Sequence, residues 1–193
     1  MMRGRRQQPM MPIAPANQKI PDILERAACH EAGHAVTHRH FGRRISYIFI
    51  TPDGNGITSI TQSVQGVGGP RQPAAMVPDH AQLVAVMAGR AAEAIQYPAL
   101  PRDELVRLSK SDEEKARDFV HEVYGGSLSD DEVTAYVDAA EAEASQILCG
   151  AWPAVVALAE TLQSRMLACG LDGDEAMTIM DDAVSQAASP EAG

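Results

Sequence analysis

The chain has 193 residues, a formal net charge of −10 at pH 7, and 45% hydrophobic residues. This length is enough for one domain with a sizeable core. The acidic balance argues against nucleic acid as the main partner. Three cysteines without a C-x-x-C spacing give no disulfide framework and fit a reducing, cytoplasmic location. No apolar run reaches the roughly 18 to 20 residues needed to cross a bilayer, so no membrane span is expected.

Both ends of the chain are expected to lie outside the folded part. Residues 1–19 are basic and contain prolines, and no apolar stretch follows them as in a secretory signal. They predict a disordered tail, with an electrostatic tether for an acidic partner as the alternative. Residues 20–187 are interpreted as a single domain, and residues 188–193 as a frayed C-terminus.

The predicted elements make a mostly helical fold with one small sheet. A first helix runs from about Pro21 to His40, and a β-hairpin follows around the turn 52–56. A glycine-rich loop over 63–78 leads into a buried helix that Asp79 can cap. Further helices are expected over 102–124 with an interruption near 109–111, over 129–148 behind a Ser-Glu capping box, over 152–167, and from 172 or 174 onward.

The first predicted helix contains His30-Glu31-Ala32-Gly33-His34, which fits the pattern H-E-x-x-H. Residues four apart lie one above the other on a helix, so His30 and His34 can both bind one metal ion. Glu31 lies beside that metal, where it can take a proton from a metal-bound water. Gly33 is a poor helix residue, which indicates that metal or backbone packs closely against that turn. The motif predicts a zinc-dependent hydrolase, and the neighbouring Cys29 is interpreted as a core thiol.

A catalytic zinc usually has three protein ligands and one open position, so a third ligand is needed. His40 has the outer spacing of H-E-x-x-H-x-x-G-x-x-H, but Thr37 stands where that motif has a helix-breaking glycine. His38 shares a helix face with His34, yet lies too far along a straight helix to share an ion with His30. Neither is favoured, and the motif alone leaves the third ligand open.

Five segments follow one another along the chain: AACHEAGHAV, the strand-rich ISYIFITPDGNGITSITQ, LVAVMAGRAAEAI, SKSDEEKARDFVHEVYG and a helical tail that ends in LDGDEAMTIM. In this order they resemble the peptidase domain of FtsH-type, ATP-dependent zinc proteases. The resemblance covers roughly Pro21 to Ala187. It implies a zincin-like H-E-x-x-H helix with a small β-sheet, followed by a helical bundle.

The resemblance implies a role for each matching residue. His30 and His34 match the family's histidine ligands, and Glu31 matches its catalytic glutamate. Asp112, in Ser-Asp-Glu-Glu-Lys-Ala, matches the aspartate of N-D-x-x-x-A that serves as third ligand, although Ser111 replaces the asparagine. A carboxylate oxygen is a normal third ligand of zinc.

Other acidic residues stay open as alternatives. Asp103 or Glu113 would be the third ligand instead of Asp112 if this segment matches the family motif in a different register. Glu93, in GRAAEAI, is expected to orient a histidine through its free ring nitrogen, with direct zinc ligation as the alternative. Arg90 is expected to pair within the core.

The implied function is hydrolysis of peptide bonds in flexible or unfolded polypeptides by a zinc-bound water that Glu31 activates. No G-x-x-x-x-G-K-[S/T] phosphate loop occurs, so the protein would act on flexible chains or work with a separate ATPase or adaptor. A strand within 45–50 or 57–62 could hold the substrate at a sheet edge. The alternative is a catalytically inactive peptidase-like module that binds a protein partner. FtsH-type proteases form hexameric rings, whereas a smaller oligomer or a monomer is open here.

Overall fold

The computed structural model describes residues 22–61, 77–165 and 170–188. The predicted mostly helical fold with a small sheet is confirmed. The predicted tail over 1–19 and most of the predicted loop over 63–78 lie outside the described residues. In chain order the elements are α1 (Ile23–His40), β1 (Arg44–Ile50), β2 (Gly56–Thr61), α2 (Val77–Gln96), α3 (Arg102–Leu108), α4 (Lys110–Tyr124), α5 (Asp130–Gly150), α6 (Trp152–Ser164), β3 (Leu171–Asp172) and α7 (Gly173–Ala188).

Helix α1 crosses the centre of the fold and packs against α2 and α6. It begins after Asp22, whose carboxylate accepts a hydrogen bond from the Leu24 amide at 3.1 Å. Small side chains bring α1 close to α2. A Cβ atom on Gly33 would lie 2.6 Å from the Ala88 carbonyl oxygen and 2.7 Å from Ala92 Cβ. Backbone packing against α2 therefore accounts for the glycine inside the motif.

The three strands form an antiparallel sheet in the order β2-β1-β3. The predicted hairpin corresponds to β1 and β2, which pair Phe49 with Ile57. Strand β3 pairs Tyr47 with Asp172 on the other side of β1. The sequence did not predict β3, because two residues are too few to show a periodic pattern. Since β1 is central, β2 and the two-residue β3 each have an edge that no other described strand covers.

Several predicted helix ends shift in the structure. Helix α2 begins at Val77, two residues before Asp79, the predicted cap. The predicted interruption between 109 and 111 is a break at Ser109, which separates α3 from α4. The predicted capping box is present at the start of α5, between Ser129 and Glu132. Helix α6 ends at Ser164, three residues before the predicted end at 167. Helix α7 includes Ala188, the first residue of the predicted frayed C-terminus.

The hydrophobic core lies between α1, α2, α5 and α6, with α7 and β1 closing one side. The predicted burial of α2 is confirmed for its central turns, which are almost entirely inaccessible. Within the described part of the chain, no single helix is long and apolar enough to cross a bilayer; α5 and α6 meet the criterion together, but they are bent by 87° relative to each other. Large buried side chains in this core include Leu83, Met87, Leu148, Leu158, Leu162 and Met180.

Candidate metal centre

A cleft of about 480 Å³ lies between α1, β2, α2 and α4. Helix α1 lines it with His30, Glu31 and His34, β2 lines it with Thr58, and α4 lines it with Asp112. The H-E-x-x-H residues and the predicted third ligand, 82 positions from His30 along the chain, thus share one cavity.

His30, His34 and Asp112 converge on one point. The distance from His30 Nε2 to Asp112 Oδ2 is 2.7 Å, and the distance from His34 Nε2 to the same oxygen is 3.4 Å. The three prospective ligand atoms lie within 4.8 Å of one another. Among the described histidines, cysteines and carboxylates, no other group of three is arranged to hold a metal ion.

Helix α2 fixes which ring nitrogen of each histidine faces the cleft. His34 Nδ1–H donates to the Ala85 carbonyl oxygen at 2.7 Å, and a carbonyl can only accept. His30 Nδ1–H donates to Glu93 Oε1 at 2.8 Å, while Arg26 Nε–H donates to Glu93 Oε2 at 2.9 Å. Both Nδ1 atoms are therefore occupied as donors, and both Nε2 atoms are directed at Asp112. Such outer hydrogen bonds are typical of histidines that bind metals.

The carboxylates of Asp112 and Glu93 lie on either side of the His30 ring, so a positive charge between them is favourable. Burial lowers the pKa of His30, but hydrogen bonds with Asp112 and Glu93 raise it by more, to about 10. Burial raises the pKa of Asp112, yet its hydrogen bonds with His30 and His34 hold that pKa well below the usual range. A proton on His30 satisfies both carboxylates in the metal-free protein. A divalent metal at the Nε2 atoms would do the same, and two imidazoles with one carboxylate suit zinc.

Glu31 is held beside the ligand group by β2. Its side chain is buried, and Thr58 Oγ1–H donates to Glu31 Oε2 at 2.7 Å. Gly56 lies against the same carboxylate, so a Cβ atom at position 56 would overlap it. The strand after the motif helix thus fixes the orientation of the predicted catalytic base.

Three residues that contact the site were not predicted from the sequence: Ala85, Thr58 and Gly89. A Cβ atom on Gly89 would overlap the His30 ring, so the glycine lets α2 approach that ring. A glycine inside an apolar helix, where it costs about 1 kcal/mol against alanine, was the available signal for Gly89. Ala85 acts through its backbone and Thr58 through a tertiary contact, so neither carries a signal in the sequence.

The alternative histidine ligands stay outside the ligand group. His38 is buried and lines the same cleft, but it is not among the three residues that converge. His40 ends α1 and stacks edge to face on Phe41, with ring centres 5.2 Å apart. Cys29 is buried in the core, and burial raises its pKa to about 12, which fits an unreactive thiol.

The alternative acidic ligands also have other positions. Asp103 lies in the first turn of α3 and is exposed. Glu113 forms an ion pair with Arg90, which also pairs with Glu141, so the predicted core pairing of Arg90 is present. Glu93 contacts His30 from behind the ring, the position expected for an orienting carboxylate and not for a direct ligand.

No protein-family model matches the chain, and no curated protein matches it either. The assignment of a function therefore depends on the cleft: the identity of its residues, their distances and their charges.

Proposed function

We propose that this protein is a zinc-dependent metallopeptidase of the FtsH-like type, with His30, His34 and Asp112 as zinc ligands and Glu31 as catalytic base. One observation carries the proposal. Two histidines, each with Nδ1 engaged as a donor by α2, direct Nε2 at a single carboxylate oxygen, 2.7 and 3.4 Å away. A histidine pair that served only the core would have no reason to share a buried carboxylate.

Zinc bound there would lower the pKa of a coordinated water towards about 7 and polarise the scissile carbonyl. Glu31 removes the proton from the attacking water, whose oxygen forms the new bond to the carbonyl carbon. Glu31 then delivers that proton to the leaving nitrogen as the C–N bond breaks, which gives a carboxylate and an amine. The Thr58 hydroxyl fixes one oxygen of Glu31, and Glu93 keeps Nε2 of His30 free of a proton when the metal is bound.

The substrate that fits this cleft is an extended polypeptide. Strand β2 lines the cleft with Gly56, Ile57 and Thr58, and its outer edge is free of other described strands. An extended chain can pair with such an edge through its backbone, so that the sequence of the substrate matters little. This contact requires a flexible or unfolded segment, which the protein would meet directly or receive from a separate ATPase or adaptor.

The test is hydrolysis of a fluorescently labelled, unfolded protein by zinc-loaded wild type and by Glu31→Gln. Because Glu31 is not a ligand, the variant should retain zinc while turnover falls about 10²- to 10⁴-fold, the usual contribution of a general base. Glu25→Gln, on the same helix but outside this cleft, is the matched control and should keep wild-type activity. Equal turnover in Glu31→Gln and wild type would refute the mechanism. Bound zinc without turnover in wild type would favour an inactive module that binds a protein partner.

A further inference from the structure

Asp112 reaches the cleft from a helix with little apolar anchoring. The fully buried residues of α4 are Asp112, Ala116 and Val120, and the two apolar ones lie one and two turns after Asp112. In the first turn of α4, Lys110 and Ser111 are exposed. Apolar packing therefore does not fix the turn that presents the proposed third ligand.

A buried cation, the guanidinium of Arg90, contacts this turn instead. Arg90 of α2 has a side chain that is only 2% exposed, and its guanidinium donates to the Glu113 carboxylate, directly after Asp112. The other terminal nitrogen donates to Glu141 Oε2 of α5 at 2.7 Å. Arg90 thus joins α2, α4 and α5 at the level of Asp112. Arginine suits this place because its planar guanidinium donates to two carboxylates at once.

The same stretch of α2 also holds the two histidines. Ala85 accepts from His34, Gly89 lies against the His30 ring, and Glu93 accepts from His30. Arg90 lies between these contacts along the helix and faces α4. One rigid helix therefore contacts the surroundings of all three proposed ligands.

We propose that Arg90 and Glu113 are positioning residues that set the zinc affinity, by fixing the turn of α4 that brings Asp112 to the two histidines. This inference rests on the proposed zinc site. Residues that orient ligands from outside typically change metal affinity about 10- to 100-fold when they are replaced. The ion pair between Arg90 and Glu113 would orient Asp112 in this way, because Glu113 directly follows Asp112 in the backbone.

The experiment compares Glu113→Ala with Glu114→Ala, the next residue on the same turn. Glu113 has a side chain 22% exposed, so its loss should leave the protein folded. Glu114 is 62% exposed and pairs with Lys110 on the surface, which makes it the matched control. Two quantities are measured: amide hydrogen exchange over residues 110–116 in the metal-free protein, and zinc affinity by competition with a chromophoric chelator.

We expect faster exchange in this turn and zinc binding about 10- to 100-fold weaker in Glu113→Ala, with Glu114→Ala within about twofold of wild type. The Co²⁺-substituted protein should also lose intensity in its visible bands, because a displaced carboxylate leaves a less tetrahedral site. Glu113→Gln, which keeps a hydrogen-bond acceptor for Arg90, should restore part of the affinity.

Unchanged exchange in Glu113→Ala would overturn the inference, since the ion pair would then not hold the turn. Faster exchange with unchanged zinc affinity would also overturn it, because the turn would not govern Asp112. If exchange rises but wild type binds no zinc, the ion pair acts as described and the proposed metal site is what fails.

Discussion

The two walls of the cleft are built in different ways. On one wall, His30 and His34 lie four residues apart on α1, so helical geometry alone sets their spacing. On the other wall, Asp112 is 82 residues away from His30 in sequence and depends on how α4 is placed. A short sequence motif therefore predicts the two histidines of the first wall. The position of Asp112 on the second wall depends on tertiary packing.

The walls also differ in what stabilises them. Helix α1 is packed on α2 and α6 through small buried side chains, among them Ala28, Ala32 and Ala35. An ion pair between Arg90 of α2 and Glu113 connects the first turn of α4 to α2. Substitutions that disturb the two walls should therefore have different signatures in stability and in zinc affinity.

The largest effect is expected where the second wall loses its ligand. Asp112→Ala should weaken zinc binding by more than about 100-fold, beyond the range of outer-sphere substitutions, because two histidines alone form an incomplete site. Metal analysis of wild type and variant, purified without chelator, should give about one zinc per chain for wild type only.

Asp118→Ala, on the exposed side of the same helix, should keep its zinc and serves as control. If Asp112→Ala keeps its zinc, Glu93 is the third ligand, and Asp112 on the second wall does not bind the metal.

A smaller effect is expected at Glu93, which accepts a hydrogen bond from His30 of the first wall. Glu93→Gln can still accept from His30, but it loses the charge that pairs with Arg26, so we expect zinc affinity to fall about 10- to 100-fold. Isothermal titration of zinc into the metal-free variant measures this change. A loss as large as that of Asp112→Ala would mean that Glu93 binds the metal directly.

The packing of the first wall can be tested at Gly33. Gly33→Ala gains helix propensity of about 1 kcal/mol, but its Cβ would meet the Ala88 carbonyl, and overpacking costs about 1–3 kcal/mol. We expect a net loss in the free energy of unfolding of about 1 kcal/mol, measured by urea denaturation. Gly150→Ala, which has nothing within 4 Å of the new Cβ, should be neutral or stabilising. Equal behaviour of the two variants would show that α1 is not closely packed on α2.

A pH dependence of zinc binding involves both walls, because His30 on one wall contacts Asp112 on the other. With the pKa of His30 raised to about 10, its Nε2 carries a proton at pH 7 that zinc must displace. Zinc affinity should therefore rise about tenfold per pH unit between pH 7 and about 9. In the metal-free protein, this proton stabilises the fold fully below pH 6.5, and the stabilisation is lost as the pH rises towards about 10. A zinc affinity that does not change with pH in this range would mean that His30 is already neutral.

The sequence predicted what depends on local pattern. The motif helix, the hairpin, the break near Ser109 and the capping box at Ser129 follow from periodicity and capping rules, and the structure has all four. The segment that resembles the family motif predicted Asp112 beside the histidines, and the structure has its carboxylate in contact with both. Most of the remaining support of the site acts through tertiary contacts, which no sequence rule predicts.

Residues Thr58 and Ala85 show why the other contacts of the site could not be predicted. Each matters because a tertiary contact brings it to Glu31 or His34, and neither residue type signals such a contact. The two-residue strand β3 was missed for a related reason: its identity as a strand comes from the partner β1 and not from its own residues.

That short strand has a consequence for shortened forms of the protein. A fragment ending near residue 165 would retain every proposed ligand and the proposed catalytic base, Glu31. It would also lose β3 and α7, and with them the cover of β1 at Tyr47 and Ile48. A bare strand edge with buried isoleucines recruits other chains, so such a fragment should aggregate. A minimal version of the domain must therefore extend through α7, far beyond the last residue that lines the cleft.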